Sequence, residues 1–109
     1  MIVDCAAYDE GRRLTERLSL DEVERWHDRP GAFLWLGLRM PSRDEAAQVT
    51  DVFRLHPLAA EDAMSAHDLP KMEAFGSTLL LVMRTAHYQA AFRKVRLGEL
   101  AVLCGERFV

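Results

Sequence analysis

The sequence has little of what phosphate-binding and catalytic domains require. Its six glycines are scattered, so neither GxxxxGK[ST] nor GxGxxG occurs and no glycine-rich phosphate loop is expected. The GxSxG and HExxH motifs are also missing, and the four histidines lie far apart along the chain. Because no motif supports catalysis, we predict that the chain is not an enzyme.

Clustered positive charge is also scarce. The formal net charge is −3, whereas binding to a phosphate backbone needs clustered Lys and Arg. The nearest candidate is Arg93, Lys94 and Arg96, which lie beside a predicted turn and are interpreted as a solvated hairpin end. We therefore predict no nucleic-acid partner.

Cysteines and long hydrophobic runs are few. Cys5 and Cys104 each lie in a short apolar segment, which favours two buried thiols in a reducing compartment. A disulfide stays possible if their strands are neighbours.

The longest clean apolar run, at 79–83, is far shorter than the roughly 20 residues that span a bilayer. No signal peptide is visible, so we expect a soluble polypeptide.

What is present is the pattern of one small domain that mixes helices and strands, an α/β or α+β fold. Half of the 109 residues are hydrophobic, which is enough for a core. Segments 19–22 and 42–45 have the form of capping boxes, and His56-Pro57 starts a third helix. Strands are predicted at 2–8, 32–38, 71–75, 78–87 and 94–104, with a short strand or loop at 12–18.

The predicted helices are too few to cover both faces of the predicted sheet. At least three strands are apolar on both faces, which predicts a sheet that is covered on both sides. The three helices are short and consecutive, so we expect them mainly on one face of a mixed parallel and antiparallel sheet. The opposite face then lacks a cover within residues 1–109, and exposed apolar faces promote association. We therefore expect a domain truncated from a longer chain, which self-associates or is marginally stable alone.

The most suggestive polar group is the segment 56–62, which ends in Glu61 and Asp62. Adjacent carboxylates on a helix point about 100° apart, so the two do not chelate one ion tightly together. Each can reach the same region if another chain supplies further oxygens, and Mg²⁺ is often held by one or two carboxylates with several waters. The alternative is that Glu61 and Asp62 belong to a solvated helix face, with His56 as a capping or packing residue.

Four blocks of the sequence follow a known pattern in the right order. Residues 53–63 read FRLHPLAAEDA, residues 66–75 read AHDLPKMEAF, and FLWLGL at 33–38 is followed by Pro41-Ser42. With the fourth, downstream block at 81–85 and 98–109, they resemble the CorA family of divalent-cation transporters, whose signature is F-G-L-H-P-L-x-x-E-D. Leu69 stands where the family usually has arginine, and Arg54 where it has glycine. The resemblance extends over roughly residues 31–109.

The resemblance implies the N-terminal domain of a homopentameric magnesium and cobalt transporter, on the cytoplasmic side of the cell membrane. Residues 1–109 would form that single domain, and the stalk helix and membrane helices, which alone would contact the membrane, would follow it. The resemblance also implies that Glu61 and Asp62 help bind regulatory Mg²⁺ between subunits. That binding would be weak in the isolated domain, and no tightly bound cofactor is expected. A zinc-transporting member of the same superfamily and a stand-alone interaction domain are the alternatives.

Overall fold

Apolar runs form the strands of this chain, and segments with capping residues form its helices. The computed structural model describes residues 1–109. The elements in chain order are β1 (Ile2–Asp9), β2 (Arg12–Arg13), α1 (Leu20–His27), β3 (Phe33–Leu38), α2 (Arg43–Val52), α3 (Pro57–Ala63), β4 (Lys71–Phe75), β5 (Thr78–Gln89) and β6 (Lys94–Cys104). The fold is α+β, as the sequence predicts. None of the helices combines the length and the hydrophobicity needed to cross a membrane.

The capping boxes fix where α1 and α2 begin. At α2 the Ser42 hydroxyl accepts a hydrogen bond from the Glu45 backbone N–H (3.1 Å), and the Glu45 carboxylate accepts one from the Ser42 N–H (2.8 Å). At α1 the Glu22 carboxylate accepts a bond from the Ser19 N–H (2.8 Å). These bonds satisfy N–H groups that have no partner inside a helix. They also lower the pKa of both glutamates.

The first sheet has the strand order β2-β1-β3 and packs against α1 and α2. The continuous apolar run of β3 predicts cover on both faces. Leu34 is indeed buried, but Trp35, which points to the opposite face, is 43% exposed. The prediction of cover on both faces is therefore wrong for β3. The core of this half consists of Cys5, Ala7, Val23, Leu34, Val49 and Phe53.

The second sheet has the order β4-β5-β6 and carries α3 on one face. On that face Leu80 is fully buried, Val82 is 2% exposed, and Ala59 of α3 is fully buried with them. The helix therefore shields the middle of this sheet from water on one side only.

The opposite face of the second sheet, here termed the open face, has no helix against it. Strand register places eight apolar residues on it: Met72, Ala74, Leu79, Leu81, Met83, Leu100, Val102 and Cys104. The exposed fractions reach 70% for Met72, 48% for Leu100 and 40% for Met83. The uncovered apolar face that the sequence predicts is present in the structure.

One sheet was predicted, but the strands are divided between two. The reason lies at the free edge of β3, which pairs with residues 107–109 and not with β4, β5 or β6. The Leu34 N–H donates to the Arg107 carbonyl (2.8 Å), and the Val109 N–H donates to the Leu34 carbonyl (3.0 Å). This pairing is parallel, whereas all the other strand pairs are antiparallel. The predicted mixed sheet is therefore replaced by two antiparallel sheets, and the only parallel pairing is the isolated bridge between Leu34 and Phe108.

The two cysteines are free thiols, one in each sheet. Cys5 is fully buried in the first sheet, and burial raises the pKa of its thiol. Cys104 ends β6 in the second sheet and is partly exposed. Two free thiols are present as predicted, but only Cys5 is buried, so the prediction of two buried thiols is wrong for Cys104.

Candidate functional site

The start of α3 is fixed by its own sequence. The His56 ring accepts a hydrogen bond from the Leu58 backbone N–H at 3.2 Å, and Pro57 occupies the first helical turn. The His56 ring also packs against the ring of Phe75 in β4, with centroids 5.6 Å apart. Both predicted roles of His56, capping and packing, are confirmed. This start places the two acidic residues of the motif in the last turn of α3.

Glu61 and Asp62 have different surroundings, although they are adjacent. Glu61 is exposed, and its carboxylate forms no hydrogen bond or ion pair within the chain. The Asp62 side chain is only 26% exposed and faces the loop after α3 and the first residue of β4. The structure therefore separates a free carboxylate from an engaged one, as expected for helix positions about 100° apart.

Both carboxylate oxygens of Asp62 have partners. Oδ1 lies 3.2 Å from Nε2 of His67, and Oδ2 contacts the Nζ atom of Lys71. The same Nζ donates to Oε2 of Glu73 at 2.9 Å. The ion pair with Lys71, and then the bond to His67, lowers the pKa of Asp62. The carboxylates of Asp62 and Glu73 raise the pKa of Lys71, so the lysine and Asp62 are both charged at neutral pH.

The His67 ring is held between two carboxylates from different elements. Its Nδ1 atom lies 3.0 Å from Oε1 of Glu99 in β6, opposite the contact of Nε2 with Asp62. The His67 backbone N–H also donates to Oε2 of Glu99 at 3.2 Å. Glu99, and secondarily Asp62, raises the pKa of the imidazole, and His67 in turn lowers the pKa of Glu99. His67 thus connects the end of α3 to the second sheet.

Arg84 of β5 completes this group of charges. Its guanidinium donates to the carbonyl oxygens of His67 and Asp68, the latter at 3.0 Å, and lies 3.7 Å from Oε2 of Glu99. Arg84 therefore fixes the loop between α3 and β4, in which Leu69 is 75% exposed. We term the whole set the ion-pair cluster; its members are Asp62, His67, Lys71, Glu73, Arg84 and Glu99.

Sequence reasoning found Asp62 but not the rest of the ion-pair cluster. One signal was available: Arg84 and Glu99 interrupt apolar runs in β5 and β6, and they pair directly in the strand register. The contact between His67 and Glu99 spans 32 positions along the chain, and no local pattern predicts it.

The donor atoms fit Mg²⁺ in kind but not in arrangement. Carboxylate oxygens are the ligands that this ion prefers. However, no group of three or more His, Cys, Asp or Glu side chains in the chain is placed to hold a metal ion. Both oxygens of Asp62 are already engaged by His67 and Lys71. Within residues 1–109, Glu61 and Asp62 are therefore not joined by a third such side chain around one position.

Comparison with known families places most of this chain in one of them. The family model described as CorA-like Mg2+ transporter protein matches residues 30–109, which include α2, α3, every strand from β3 onward and the whole ion-pair cluster. A search of curated proteins found no match. The match agrees with the resemblance seen in the sequence over residues 31–109. The chain belongs to the CorA-like Mg²⁺ transporter family.

Proposed function

We propose that this chain is a cytoplasmic regulatory domain of a CorA-like transporter of Mg²⁺ and related divalent cations such as Co²⁺. The observation that carries the proposal is the family match over residues 30–109, because it includes the Glu61-Asp62 pair and the elements that position it. In this proposal the domain does not conduct ions itself. It biases the transporter between closed and open states in response to the divalent cation concentration.

Within that role, Glu61 and Asp62 are the proposed ligands of a regulatory divalent cation. The exposed, unpaired carboxylate of Glu61 supports this assignment, since it is free to face another subunit. The remaining oxygens would come from outside residues 1–109, which agrees with the incomplete donor set in this chain. Acidic groups that face one another across subunits repel, and a divalent counter-ion between them favours the tighter, closed assembly. Binding by residues 1–109 alone should therefore be weak.

We also propose that residues 1–109 are one domain of a longer, oligomeric polypeptide, and that a helical segment outside them covers the open face. The support is the composition of that face, which resembles a sheet interior although Met72 and Leu100 are about half exposed or more. The same polypeptide is the expected occupant because members of this family, as the sequence resemblance implies, continue into a stalk helix.

The experiment that tests the transport role uses the complete natural reading frame. We expect it to encode a stalk and two apolar helices after residue 109, and to restore growth and Mg²⁺ uptake in a bacterial strain that lacks its own Mg²⁺ transporters. Parallel uptake of Co²⁺ and Zn²⁺ identifies the preferred ion. A stop codon directly after Val109 would contradict the transport role and leave a stand-alone interaction domain as the function.

A further inference from the structure

We propose that Lys71 is a built-in competitor of divalent cations at Asp62. Its ammonium group occupies the position between the carboxylates of Asp62 and Glu73 that a divalent cation would need in order to use both. This inference rests on the proposed function, in which Asp62 is a ligand of a regulatory cation. It explains why the donor set fits such a cation in kind but not in arrangement.

The position of Lys71 follows from the fold. Lys71 is the first residue of β4, and Glu73, two positions along the same strand, points to the same face. Asp62 approaches this face from the last turn of α3. The Nζ atom of Lys71 lies 2.9 Å from Oε2 of Glu73 and contacts Oδ2 of Asp62. One ammonium group thus bridges two carboxylates that come from different elements.

The bridge is partly exposed to solvent. The exposed fractions of the side chains are 26% for Asp62, 33% for Lys71 and 48% for Glu73. A hydrated ion can therefore reach the two carboxylates without any opening of the fold. The other oxygen of Asp62 faces His67, so Oδ2 is the atom at which exchange with an incoming cation would occur.

Charge favours a divalent cation between these two carboxylates once the ammonium group has left. Asp62 and Glu73 together carry two negative charges, which a single ammonium group only half neutralises. A divalent cation matches both charges, but its approach is opposed by the ammonium group that is already there. Because Lys71 is tethered to the same domain, it competes at a high effective concentration that does not vary with the cell's composition.

The lysine side chain suits a reversible exchange. Its flexible four-carbon stem can carry the ammonium group into solvent, whereas the guanidinium of an arginine would hold both carboxylates in a planar fork. The backbone of Lys71 stays paired with Val82 of β5, so leaving the carboxylates needs only a change of rotamer. Lys71 would thereby give the site a low affinity for divalent cations. A low affinity suits a sensor of an abundant cation better than a high affinity does.

The test is a titration of residues 1–109 with Mn²⁺ as the probe, in which electron paramagnetic resonance at low ionic strength measures the free ion. The Lys71→Met variant should bind Mn²⁺ about five- to tenfold more tightly, which is the range for losing one or two partly exposed ion pairs. Lys71→Arg, which keeps the positive charge, should bind as weakly as the wild type. Adding Asp62→Asn to Lys71→Met should remove the gain.

The chain offers a matched control, because Lys94 is its only other lysine. Lys94 is exposed, begins β6 and forms no ion pair, so Lys94→Met removes the same charge away from the ion-pair cluster. An unchanged affinity in Lys94→Met would show that the gain is local. Equal gains in both variants, or no gain in a folded Lys71→Met, would overturn the inference.

A second measurement uses the wild-type chain and does not depend on how any variant folds. Amine acetylation followed by mass spectrometry gives the reactivity of Lys71 relative to Lys94. Millimolar Mg²⁺ should raise this ratio above its value in KCl of the same ionic strength, because a displaced ammonium group is free to react. An unchanged ratio would contradict the inference.

The proposed roles of Asp62 and Lys71 can fail separately. If Asp62→Asn weakens Mn²⁺ binding while Lys71→Met changes nothing, Asp62 is a ligand and only the role of Lys71 is wrong. If Asp62→Asn leaves the binding of both the wild type and Lys71→Met unchanged, Asp62 is not a ligand, and the proposed sensing function fails with the inference.

Discussion

Only one face of the second sheet is covered by a helix. Truncating a leucine should therefore lower the free energy of unfolding more on the covered face than on the open face. Leu80 is fully buried beneath α3, so Leu80→Ala removes a packed side chain and leaves a cavity. Such substitutions cost about 2–5 kcal/mol, and a site with no solvent access lies near the middle of that range, at about 3 kcal/mol. Leu100 on the open face is 48% exposed, so Leu100→Ala loses only part of the transfer free energy and leaves no closed cavity, at a cost of about 1 kcal/mol or less.

The assay is equilibrium unfolding of residues 1–109, followed by the fluorescence of Trp26 and Trp35. The expected difference between the two variants, about 2 kcal/mol, corresponds to roughly 10 °C in Tm for a domain of this size. Measurement at several protein concentrations separates packing within one chain from association. Equal losses in Leu80→Ala and Leu100→Ala, independent of concentration, would refute the assignment of an open face.

Three further predictions follow from other parts of the structure. Self-association of residues 1–109 should rise with concentration in light scattering, and Leu100→Lys should reduce it; a wild type that stays monomeric at high concentration would contradict this. Ser42→Ala should lower the free energy of unfolding by about 1 kcal/mol, because it removes the cap of α2; an unchanged stability would argue against the capping box. The third concerns His67: Glu99, then Asp62, raises the pKa of its imidazole above the ordinary value of 6.5. A raised pKa means that protonation stabilises the folded chain, so this contribution is complete below about pH 6.5 and is lost as the pH rises through the folded-state pKa. His67→Gln should remove that pH dependence, and a variant that keeps the wild-type profile would show that another group causes it.

The starts of the three helices were predictable from the sequence because local chemistry determines them. The two capping boxes and the His56-Pro57 step each supply hydrogen-bond partners or a fixed backbone angle at a helix start, with no contribution from the rest of the fold. The apolar runs of β5 and β6 likewise indicate strands. The α+β class and the uncovered face follow from counting those elements.

The division into two sheets and the ion-pair cluster were not predictable, since both depend on contacts between distant residues. The free edge of β3 could have accepted any strand, and nothing local indicates that residues 107–109 would occupy it. Asp62 was identified because it belongs to a motif. Its partner Lys71 lies in a second motif, and sequence alone does not show that the two side chains meet.

In the proposed function, this domain senses divalent cations through Glu61 and Asp62 in a CorA-like transporter. Its most direct test is Mg²⁺ influx through the full-length protein in liposomes, measured as the Mg²⁺ concentration on the domain's side is raised. We expect that wild-type flux falls with rising Mg²⁺, and that Glu61→Gln with Asp62→Asn shifts this inhibition to higher Mg²⁺, while Asp51→Asn on the exposed surface of α2 does not. The same inhibition curve in all three proteins would contradict it.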